Sequence, residues 1–375
     1  MKVLLIDQIA KVNYKYTFPL VNGLVKHGVE VCLVIDQKEE AENCKCERIK
    51  LFNTDEKSIG KLKKLINYIL SYSTICKILK EEKCDVIHTE WYTFSPVDYY
   101  FLNRIKRRYN VKYVATVHDI LPFNEKKYDM FFHEKLYGIA DSIILQAPIN
   151  MERFAKLFPK DKHKTHMIPH GHMLDYVEVQ DKVDSRKKLN LPEDKKIVLF
   201  FGQIKKVKGV DVLLKAAVKL HKKYPQLYFV VAGSVWKSDF TECQEIIERE
   251  NMEEYLKADI RYIPDEEVKY YYSACDICAL PYTDVYQSGV IQLAYGYRKP
   301  VVATTLDAFT QFVKEGVTGF LAEPGDVDSF ASAIERALRN VNQLDKIGTA
   351  GYEVVKTELN WDDLAYRILE ECYKY

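Results

Sequence analysis

The chain lacks any long hydrophobic run. No stretch approaches the 18 apolar residues of a membrane-spanning helix. The apolar run near the start, residues 3–6, is shorter than the hydrophobic region of a secretory signal and fits a buried strand better. A strong charge of one sign is also lacking, because 55 Lys and Arg residues balance 54 Asp and Glu residues. A net charge of +1 gives no general attraction to nucleic acid. We therefore expect a cytoplasmic protein that binds no nucleic acid.

Several motifs of catalysis and metal binding are missing as well. The sequence has no Walker Gly-Lys-Ser/Thr and no Gly-x-Ser-x-Gly elbow. Its nine cysteines are odd in number, and without a secretory signal they predict reduced thiols. Cys275 and Cys278 form a CxxC, but the other close pair, Cys44 and Cys46, has the wrong spacing for zinc. We interpret these cysteines as core residues.

What the chain does contain is two series of short apolar strands that alternate with helical patterns. Its 375 residues, 47% hydrophobic and 29% charged, are typical of a globular protein of two domains. The first series has predicted strands at residues 3–6, 30–35, 85–88, 113–117 and 142–146. The second has predicted strands at residues 197–201, 228–232, 260–263, 277–280, 300–303 and 319–322. Strands spaced by helices indicate parallel sheets with right-handed crossovers, hence an α/β fold.

The boundary between the two series is predicted near residue 172. Residues 168–172 lie between the two series and are followed by a polar stretch, residues 175–192. This region is interpreted as the hinge. The predicted domains are residues 1–172, completed by a last helix over residues 358–375, and residues 173–357.

A lysine-rich turn follows the strand predicted at residues 197–201. It places Lys205, Lys206 and Lys208 between Gly202 and Gly209, before a helical pattern. In parallel sheets, ligands bind beyond the carboxyl ends of the strands, where helix N-termini attract phosphates. The turn is either a diphosphate site or a solvated lysine cluster.

A second loop lies between the strand predicted at residues 277–280 and the next helix. The backbone amides of Gly289 and Val290 would open that helix towards a phosphate, with Ser288 as its N-cap. The other interpretation is an ordinary helix N-terminus.

These two segments resemble the donor-binding half of retaining glycosyltransferases of family 4, the two-Rossmann-domain GT-B type. That family has a Gly-Arg-x4-Lys-Gly turn, matched by residues 202–209 with Gln203 at the arginine position. Residues 299–303 match its Gly-x-Pro-Val-Val strand, and residues 318–326 match its Thr-Gly-x-Leu-x-x-Pro-Gly-Asp segment. Its Glu-x7-Glu segment is replaced by residues 284–292, which contain no glutamate. The resemblance covers roughly the whole chain, but the specific motifs lie in the C-terminal half.

The resemblance implies a set of donor-binding residues. Lys208 stands at the family's lysine, and Lys205 is a candidate substitute for the missing arginine. In one register Asp284 and Gln292 replace the two glutamates, and in another Tyr286 and Ala294 do. The predicted donor-binding residues are Gly202, Gln203, Lys205, Lys208, Gly233, Gln287, Ser288, Gly289, Val290 and Gln292.

Further candidates lie at strand ends of the N-terminal half. His118 follows the strand at residues 113–117, and the resemblance implies a histidine against the donor sugar; with Asp284 it is a predicted catalytic residue. The alternative is a histidine that caps the strand end against Asp119. His88 and Tyr16 are assigned to the acceptor side; Tyr16 lies where the family often has a glycine pair.

The implied fold is two doubly wound Rossmann-like domains that face each other across a cleft. The implied function is transfer of a sugar, with retention of anomeric configuration, from a nucleotide-sugar donor to a glycan or lipid-linked glycan acceptor. No metal site is expected, since Asp326 and Asp328 are interpreted as the start of a helix, and no cofactor besides the nucleotide-sugar. The alternatives are a sugar-nucleotide epimerase on the same fold and a non-catalytic partner subunit.

The segment of residues 57–83 carries seven lysines. Apolar residues follow a helical stripe there at Leu62, Leu65, Ile66, Ile69, Cys76 and Leu79. This stripe packs on the sheet, or it lies on an anionic membrane surface. The second interpretation predicts peripheral contact with the inner face of the membrane, and the two are compatible.

Overall fold

The computed structural model describes residues 1–36, 44–52, 60–122, 126–236, 240–285 and 288–374. The chain forms two compact units. Unit 1 consists of Met1–Gly171 and Leu359–Tyr375, and unit 2 of His172–Glu358. Each contains one parallel sheet with helices on both of its faces, which confirms the predicted α/β class.

The sheet of unit 1 has seven strands in the order β3-β2-β1-β4-β5-β6-β7. All neighbouring pairs are parallel. The strands are β1 (Lys2–Ile6), β2 (Glu30–Asp36), β3 (Glu47–Phe52), β4 (Val86–Thr89), β5 (Lys112–Val117), β6 (Ser142–Leu145) and β7 (Thr165–Met167). Its first helices are α1 (Ala10–Lys26), α2 (Lys61–Glu82), α3 (Ser95–Tyr109), α4 (Asp129–Ile139) and α5 (Pro148–Leu157).

The sheet of unit 2 has six strands in the order β10-β9-β8-β11-β12-β13, again all parallel. The strands are β8 (Lys196–Phe201), β9 (Leu227–Ala232), β10 (Leu256–Asp259), β11 (Ile277–Leu280), β12 (Val301–Thr304) and β13 (Gly319–Ala322). The helices are α6 (Lys182–Lys188), α7 (Val210–His221), α8 (Thr241–Arg249), α9 (Asp265–Ala274), α10 (Gly289–Gly296), α11 (Asp307–Thr310), α12 (Val327–Arg339) and α13 (Leu344–Glu358).

The end of the chain belongs to unit 1. Helix α14 (Trp361–Arg367) continues into a π-helical turn, Ile368–Tyr373. Its apolar side chains share one core with β1, β2 and α1. Tyr373 also contacts β4, since its hydroxyl lies 2.6 Å from Nδ1 of the buried His88.

The strand order reverses direction once in each sheet. In unit 1 the reversal lies between β1 and β4, and in unit 2 between β8 and β11. The loops that leave two such strands diverge to opposite faces, so a crevice opens at their carboxyl ends, where sheets of this kind bind ligands. The fold therefore provides one candidate site in each unit.

One prediction about secondary structure was wrong. The strand predicted at residues 260–263 is β10, which ends at Asp259, because Arg261 N–H donates to the Asp259 carbonyl at 3.1 Å and turns the chain. The division between the units, after Gly171, falls within the predicted hinge region. The polar part of that region, residues 175–192, belongs to unit 2 and includes α6. Arg186 of α6 is buried and donates to Asp276 at 2.8 Å. This contact joins α6 to the rest of unit 2.

Of the predicted stripe on helix α2, only the C-terminal part, Cys76 and Leu79, packs on the core. Its buried residues are Tyr68, Ser71, Tyr72, Ile75, Ile78 and Leu79. Leu62, Ile66 and Ile69 of the predicted stripe are exposed. Among the helices of the described residues, none is both long and apolar enough to span a membrane.

Candidate donor site at the strand reversal of unit 2

Two loops meet beyond the carboxyl ends of β8 and β11. Gly209 adopts a left-handed φ of 63°, and a Cβ at this position would lie 1.9 Å from the Pro281 carbonyl oxygen. Thr283 N–H donates to the Val207 carbonyl at 2.9 Å. Only glycine permits this approach. The contact with the loop after β11 therefore explains why a glycine follows Lys208.

A second pair of glycines lies at the ends of β8 and β9. Gly202 and Gly233 have φ values of 130° and 148°, and a Cβ on Gly233 would lie 1.9 Å from the Gly202 carbonyl oxygen. A Cβ on Gly202 would lie 3.6 Å from Val290 Cγ2. The backbone after β8 therefore runs directly past the first turn of α10.

Lys208 lies at the end of this turn, in a short 3-10 helix, Lys206–Lys208. Its Nζ is 3.7 Å from the centre of the Tyr282 ring, an attractive contact between a cation and an aromatic face. Burial lowers the pKa of Lys208 to about 8, and the charge of Lys205 contributes to the shift. An anion bound beside Lys208 would stabilise its charged form and so oppose both causes of the lowered pKa. The ammonium group is therefore suited to bind a phosphate.

The other residues predicted in this turn are less enclosed. Lys205 is half-buried, whereas Gln203 and Lys206 are exposed. Lys205 is thus close enough to influence Lys208, while the Gln203 side chain, at the family's arginine position, projects into solvent.

The loop before α10 is partly described. Asp284 is exposed, and Gln287 and Tyr286 lie outside the described residues. Gly289 begins α10 and Ser288 occupies its N-cap position, but Ser288 makes no capping hydrogen bond, so that part of the prediction was wrong. The amides of the first turn are consequently not capped by this side chain. Gln292 is buried in the next turn, and its Oε1 has no hydrogen-bond partner among the described residues.

The acidic pair Asp326 and Asp328 has the predicted helix-start role. Asp326 caps α12 by accepting from the backbone N–H groups of Asp328 and Ser329, both at 2.9 Å. Asp328 forms an ion pair with Lys219.

The candidates in unit 1 lie around its own strand reversal. His118 follows β5 and stacks on Trp91, with ring centres 4.8 Å apart and planes 10° from parallel. Burial lowers the pKa of His118 to about 4, so the imidazole is neutral at neutral pH. Asp119 is exposed beside it.

His88 and Tyr16, assigned to the acceptor side, are both buried. The ring nitrogens of His88 lie 2.6 Å from the Tyr373 hydroxyl and 2.8 Å from the Thr116 hydroxyl. Tyr16 packs edge-on against His118, His170 and Trp361. Neither side chain offers a free surface to a ligand, so both support the interior of unit 1.

Two family profiles together cover most of the chain. Residues 15–176 match Glycosyltransferase Family 4, and residues 181–354 match Glycosyl transferases group 1. The chain belongs to the family 4 glycosyltransferases. The turn at residues 202–209 and helix α10 lie within the group 1 match, and His118 lies within the family 4 match.

Relatives and solved structures agree with this assignment. The D-inositol 3-phosphate glycosyltransferase of Nocardioides sp. is 24% identical over 252 residues, 63% of this chain and 54% of that protein. The chain thus spans about half the length of this curated relative. Sucrose-phosphate synthase from Thermosynechococcus elongatus has a TM-score of 0.72 at 21% identity, covering 99% of this chain and 98% of the other. HepE from Anabaena, solved with UDP-glucose, has a TM-score of 0.70 at 18% identity, with the same coverage of both chains. The shared fold is GT-B.

The sequence interpretation of this glycosyltransferase missed a polar cluster in unit 1. Asp7 and Glu90 lie directly after β1 and β4, and both are buried with Asn13 and Thr17 around them. One signal was available, because each acid follows an apolar strand just as His118 does. What was not visible was that β1 and β4 are neighbours at the reversal point.

Proposed function

We propose that the protein is a retaining glycosyltransferase that transfers a sugar from a nucleotide diphosphate sugar to a glycan or a lipid-linked glycan. The observation that carries this proposal is the convergence, at the strand reversal of unit 2, of Lys208, the glycine turns and the first turn of α10. Charge-assisted hydrogen bonds to a diphosphate contribute about 1.5–3 kcal/mol each.

The chemistry of the donor explains why cations and amides are suited to this place. When the bond between the sugar and the diphosphate breaks, negative charge develops on the leaving group. Groups already fixed around that charge stabilise the transition state more than the ground state. Lys208, Lys205 and the amides of Gly289 and Val290 are proposed to act in this way, without a metal ion. The GT-B structures solved with UDP and UDP-glucose support a nucleotide-sugar donor.

His118 and Asp284 keep their proposed roles beside the reacting sugar. A neutral imidazole can accept from or donate to a sugar hydroxyl. Asp284 is exposed at the loop before α10, where a carboxylate can accept from hydroxyls of the donor.

Binding of the donor is tested first. Melting temperatures are measured with a panel of UDP- and GDP-sugars. A ligand at 100 times its Kd adds about 2.7 kcal/mol to the free energy of unfolding, so a clear rise is expected with one donor. No rise with any of them would favour a non-catalytic subunit.

Transfer and stereochemistry are tested next, with the donor found and lipid-linked glycan acceptors. Proton NMR of the product is expected to show the anomeric configuration of the donor. An inverted product would contradict the retaining mechanism. Release of an epimerised sugar without acceptor would indicate the epimerase.

The exposed face of α2 supports peripheral contact with a membrane. Leu62, Ile66, Ile69 and Leu70 are between 38% and 72% exposed, and the exposed Lys63 lies among them. Aliphatic side chains that insert between lipids, flanked by lysines, fit an anionic bilayer. We expect sedimentation with vesicles that contain phosphatidylserine and not with phosphatidylcholine alone.

The matched variants for this test exchange exposed apolar residues for serine. Replacing Leu62, Ile66 and Leu70 should abolish sedimentation. Replacing Val179 and Val317, which are exposed on unit 2, should not. Equal loss in both variants would reject α2 as the contact.

A further inference from the structure

Two half-buried cysteines lie side by side just before β3 in unit 1. The sulfur atoms of Cys44 and Cys46 are 3.4 Å apart, within hydrogen-bond distance for two thiol groups. Lys45, the residue between them, donates its backbone N–H to Asn22 Oδ1 of α1 at 2.9 Å. Both cysteines pack on the same apolar core as Val25 of that helix. The pair is therefore held in a defined position between α1 and β3.

The hydrogen bonds of this pair favour a thiolate on Cys44. In its thiolate form, Cys44 accepts from the thiol of Cys46, which lowers the pKa of Cys44 although partial burial opposes the shift. The backbone N–H of Cys46 and the charge of Arg48 act in the same direction as that thiol. The same side-chain hydrogen bond raises the pKa of Cys46. At neutral pH one sulfur can thus act as a nucleophile while its neighbour keeps its proton.

The chain offers seven other cysteines for comparison, and all nine lie in its described parts. Burial raises the pKa of each of these seven, which are Cys32, Cys76, Cys84, Cys243, Cys275, Cys278 and Cys372. Cys76 is the best matched of them, because it is half-buried like Cys44 and its pKa is nevertheless raised. Partial exposure alone therefore does not explain the thiolate character of Cys44.

An open cavity leads to the pair from the edge of the sheet at which the strands begin. It has a volume of about 620 Å³, and Lys45 and Cys46 line it together with Lys2, Glu30 and Glu47, the first residues of β1, β2 and β3. Ligands of this fold bind at the opposite edge, beyond the carboxyl ends of the strands. Lysines and glutamates together match the carboxylates and ammonium groups of a disulfide built from amino acids.

We propose that Cys44 and Cys46 form a redox-active dithiol, which low-molecular-weight disulfides oxidise to an internal disulfide. The Cys44 thiolate attacks one sulfur of the incoming disulfide, and the other sulfur leaves as a thiolate that takes up a proton. The thiol of Cys46 then loses its proton and attacks Cys44 Sγ, which releases the second small thiol. In total, two cysteine thiols are oxidised to one disulfide, and one small disulfide is reduced to two thiols.

The consequences of this bond for the fold are small. A bond between Cys44 and Cys46 encloses a single intervening residue, so it restricts the unfolded chain little. We therefore expect the protein to keep its fold in both redox states. In a reducing compartment such a bond is transient and is typical of redox sensing. The proposal does not depend on the proposed glycosyl transfer, since the pair belongs to the opposite edge of the sheet in unit 1.

The site is tested on the full-length reduced protein with glutathione disulfide. The reaction is stopped with acid, and the remaining thiols are blocked with N-ethylmaleimide. Cleavage after glutamate releases residues 43–47 as one peptide that contains both cysteines. Mass spectrometry should find this peptide lighter by the two thiol hydrogens, at a rate at least about tenfold that of glutathione attachment to Cys76. A peptide that stays blocked on both cysteines, keeps glutathione on Cys44, or reacts no faster than Cys76 overturns the proposal.

The order of attack is tested with single serine variants. Cys46→Ser should accumulate a mixed disulfide between Cys44 and glutathione, because the second sulfur is missing. Cys44→Ser should acquire glutathione on Cys46 at least about tenfold more slowly, since burial also raises the pKa of Cys46. Cys76→Ser is the matched control and should form the internal disulfide at the wild-type rate. Equal rates in Cys44→Ser and Cys46→Ser would overturn Cys44 as the attacking residue.

Discussion

The ammonium group of Lys208 lies 3.7 Å from the centre of the Tyr282 ring. Lys208 ends the turn after β8, and Tyr282 follows β11 by two residues. The contact therefore joins the two strands at which the sheet order reverses, and it holds a cation where a diphosphate is proposed to bind.

Replacing Lys208 should slow transfer without unfolding the protein. Loss of a charge-assisted contact of about 1.5–3 kcal/mol corresponds to a roughly 10- to 150-fold lower rate in Lys208→Ala. The melting temperature should change little, because the side chain contributes little to the core. Lys206→Ala, in the same turn but exposed, is the matched control and should keep near-normal kcat/KM. Intact activity in Lys208→Ala would place the diphosphate elsewhere.

The pH profile should report the same ammonium group. Because the pKa of Lys208 is lowered to about 8, the free protein loses this positive charge as the pH rises through that value. We expect kcat/KM to fall above about pH 8, since it reflects ionisation of the free enzyme. In Lys208→Arg the guanidinium stays charged, so the fall should move to higher pH even if the rate is lower. If the fall in kcat/KM occurs at the same pH in Lys208→Arg, the ionisation of another group causes it.

The close approach of the two loops at Gly209 can be tested by comparing alanine substitutions at Gly209 and at Gly316. Both adopt left-handed φ values, 63° and 69°, but a Cβ on Gly316 meets nothing within 4 Å. Gly316→Ala should cost about 1–2 kcal/mol in the free energy of unfolding, the usual price of this conformation. Gly209→Ala adds a collision with Pro281 and should cost at least about 2 kcal/mol more, as measured by urea denaturation. An equal loss of stability in the two variants would mean that the loop after β11 moves away from the new Cβ at no energetic cost.

Chelation should leave the rate of transfer largely unchanged. The proposed donor site relies on Lys208, Lys205 and helix amides, while Asp326 and Asp328 are engaged as a helix cap and in an ion pair. Initial rates with and without EDTA measure this directly. A rate that collapses with EDTA and returns with Mg²⁺ or Mn²⁺ would contradict metal independence.

Loss of His118 should separate sugar transfer from nucleotide binding. His118→Ala is expected to slow transfer while the Kd of the nucleotide stays within a few-fold, because the proposed diphosphate contacts belong to unit 2. Transfer rates and nucleotide titrations on one preparation provide the comparison. If both are lost together, the stacking of His118 on Trp91 maintains the fold instead.

The fold could be predicted from the sequence because apolar strands and the intervening helices follow local periodicity. The α/β class is confirmed, and ten of the thirteen strands in the described residues were predicted within one residue at each end. The edge strands β3 and β7 were missed, since β3 is half exposed and β7 has only three residues. The glycine turn at residues 202–209 was recognisable because its chemistry is local.

The parts that could not be predicted depend on contacts between distant residues. Nothing local to Lys208 indicates that Tyr282 lies against it, and nothing local to Asp7 indicates Glu90. The orientation of α2 was only partly predicted, because its buried face combines Tyr68, Ser71 and Tyr72 with Ile75, Ile78 and Leu79, of which only Leu79 belongs to the predicted stripe. Their hydroxyls are accommodated there by partners from elsewhere, such as Asp98 for Tyr68 and Tyr72.

The assignment of the last residues to unit 1 has a consequence for how the protein is made. On the ribosome, residues 1–171 emerge first, yet the core of unit 1 also needs Trp361, Leu364 and Tyr373. At about 5–20 residues per second, roughly ten to forty seconds pass while unit 2 is synthesised. Throughout that interval the surface of α1 that packs against α14 is uncovered, and His88 lacks its contact with the hydroxyl of Tyr373. Of these two units, the one synthesised first is therefore completed last.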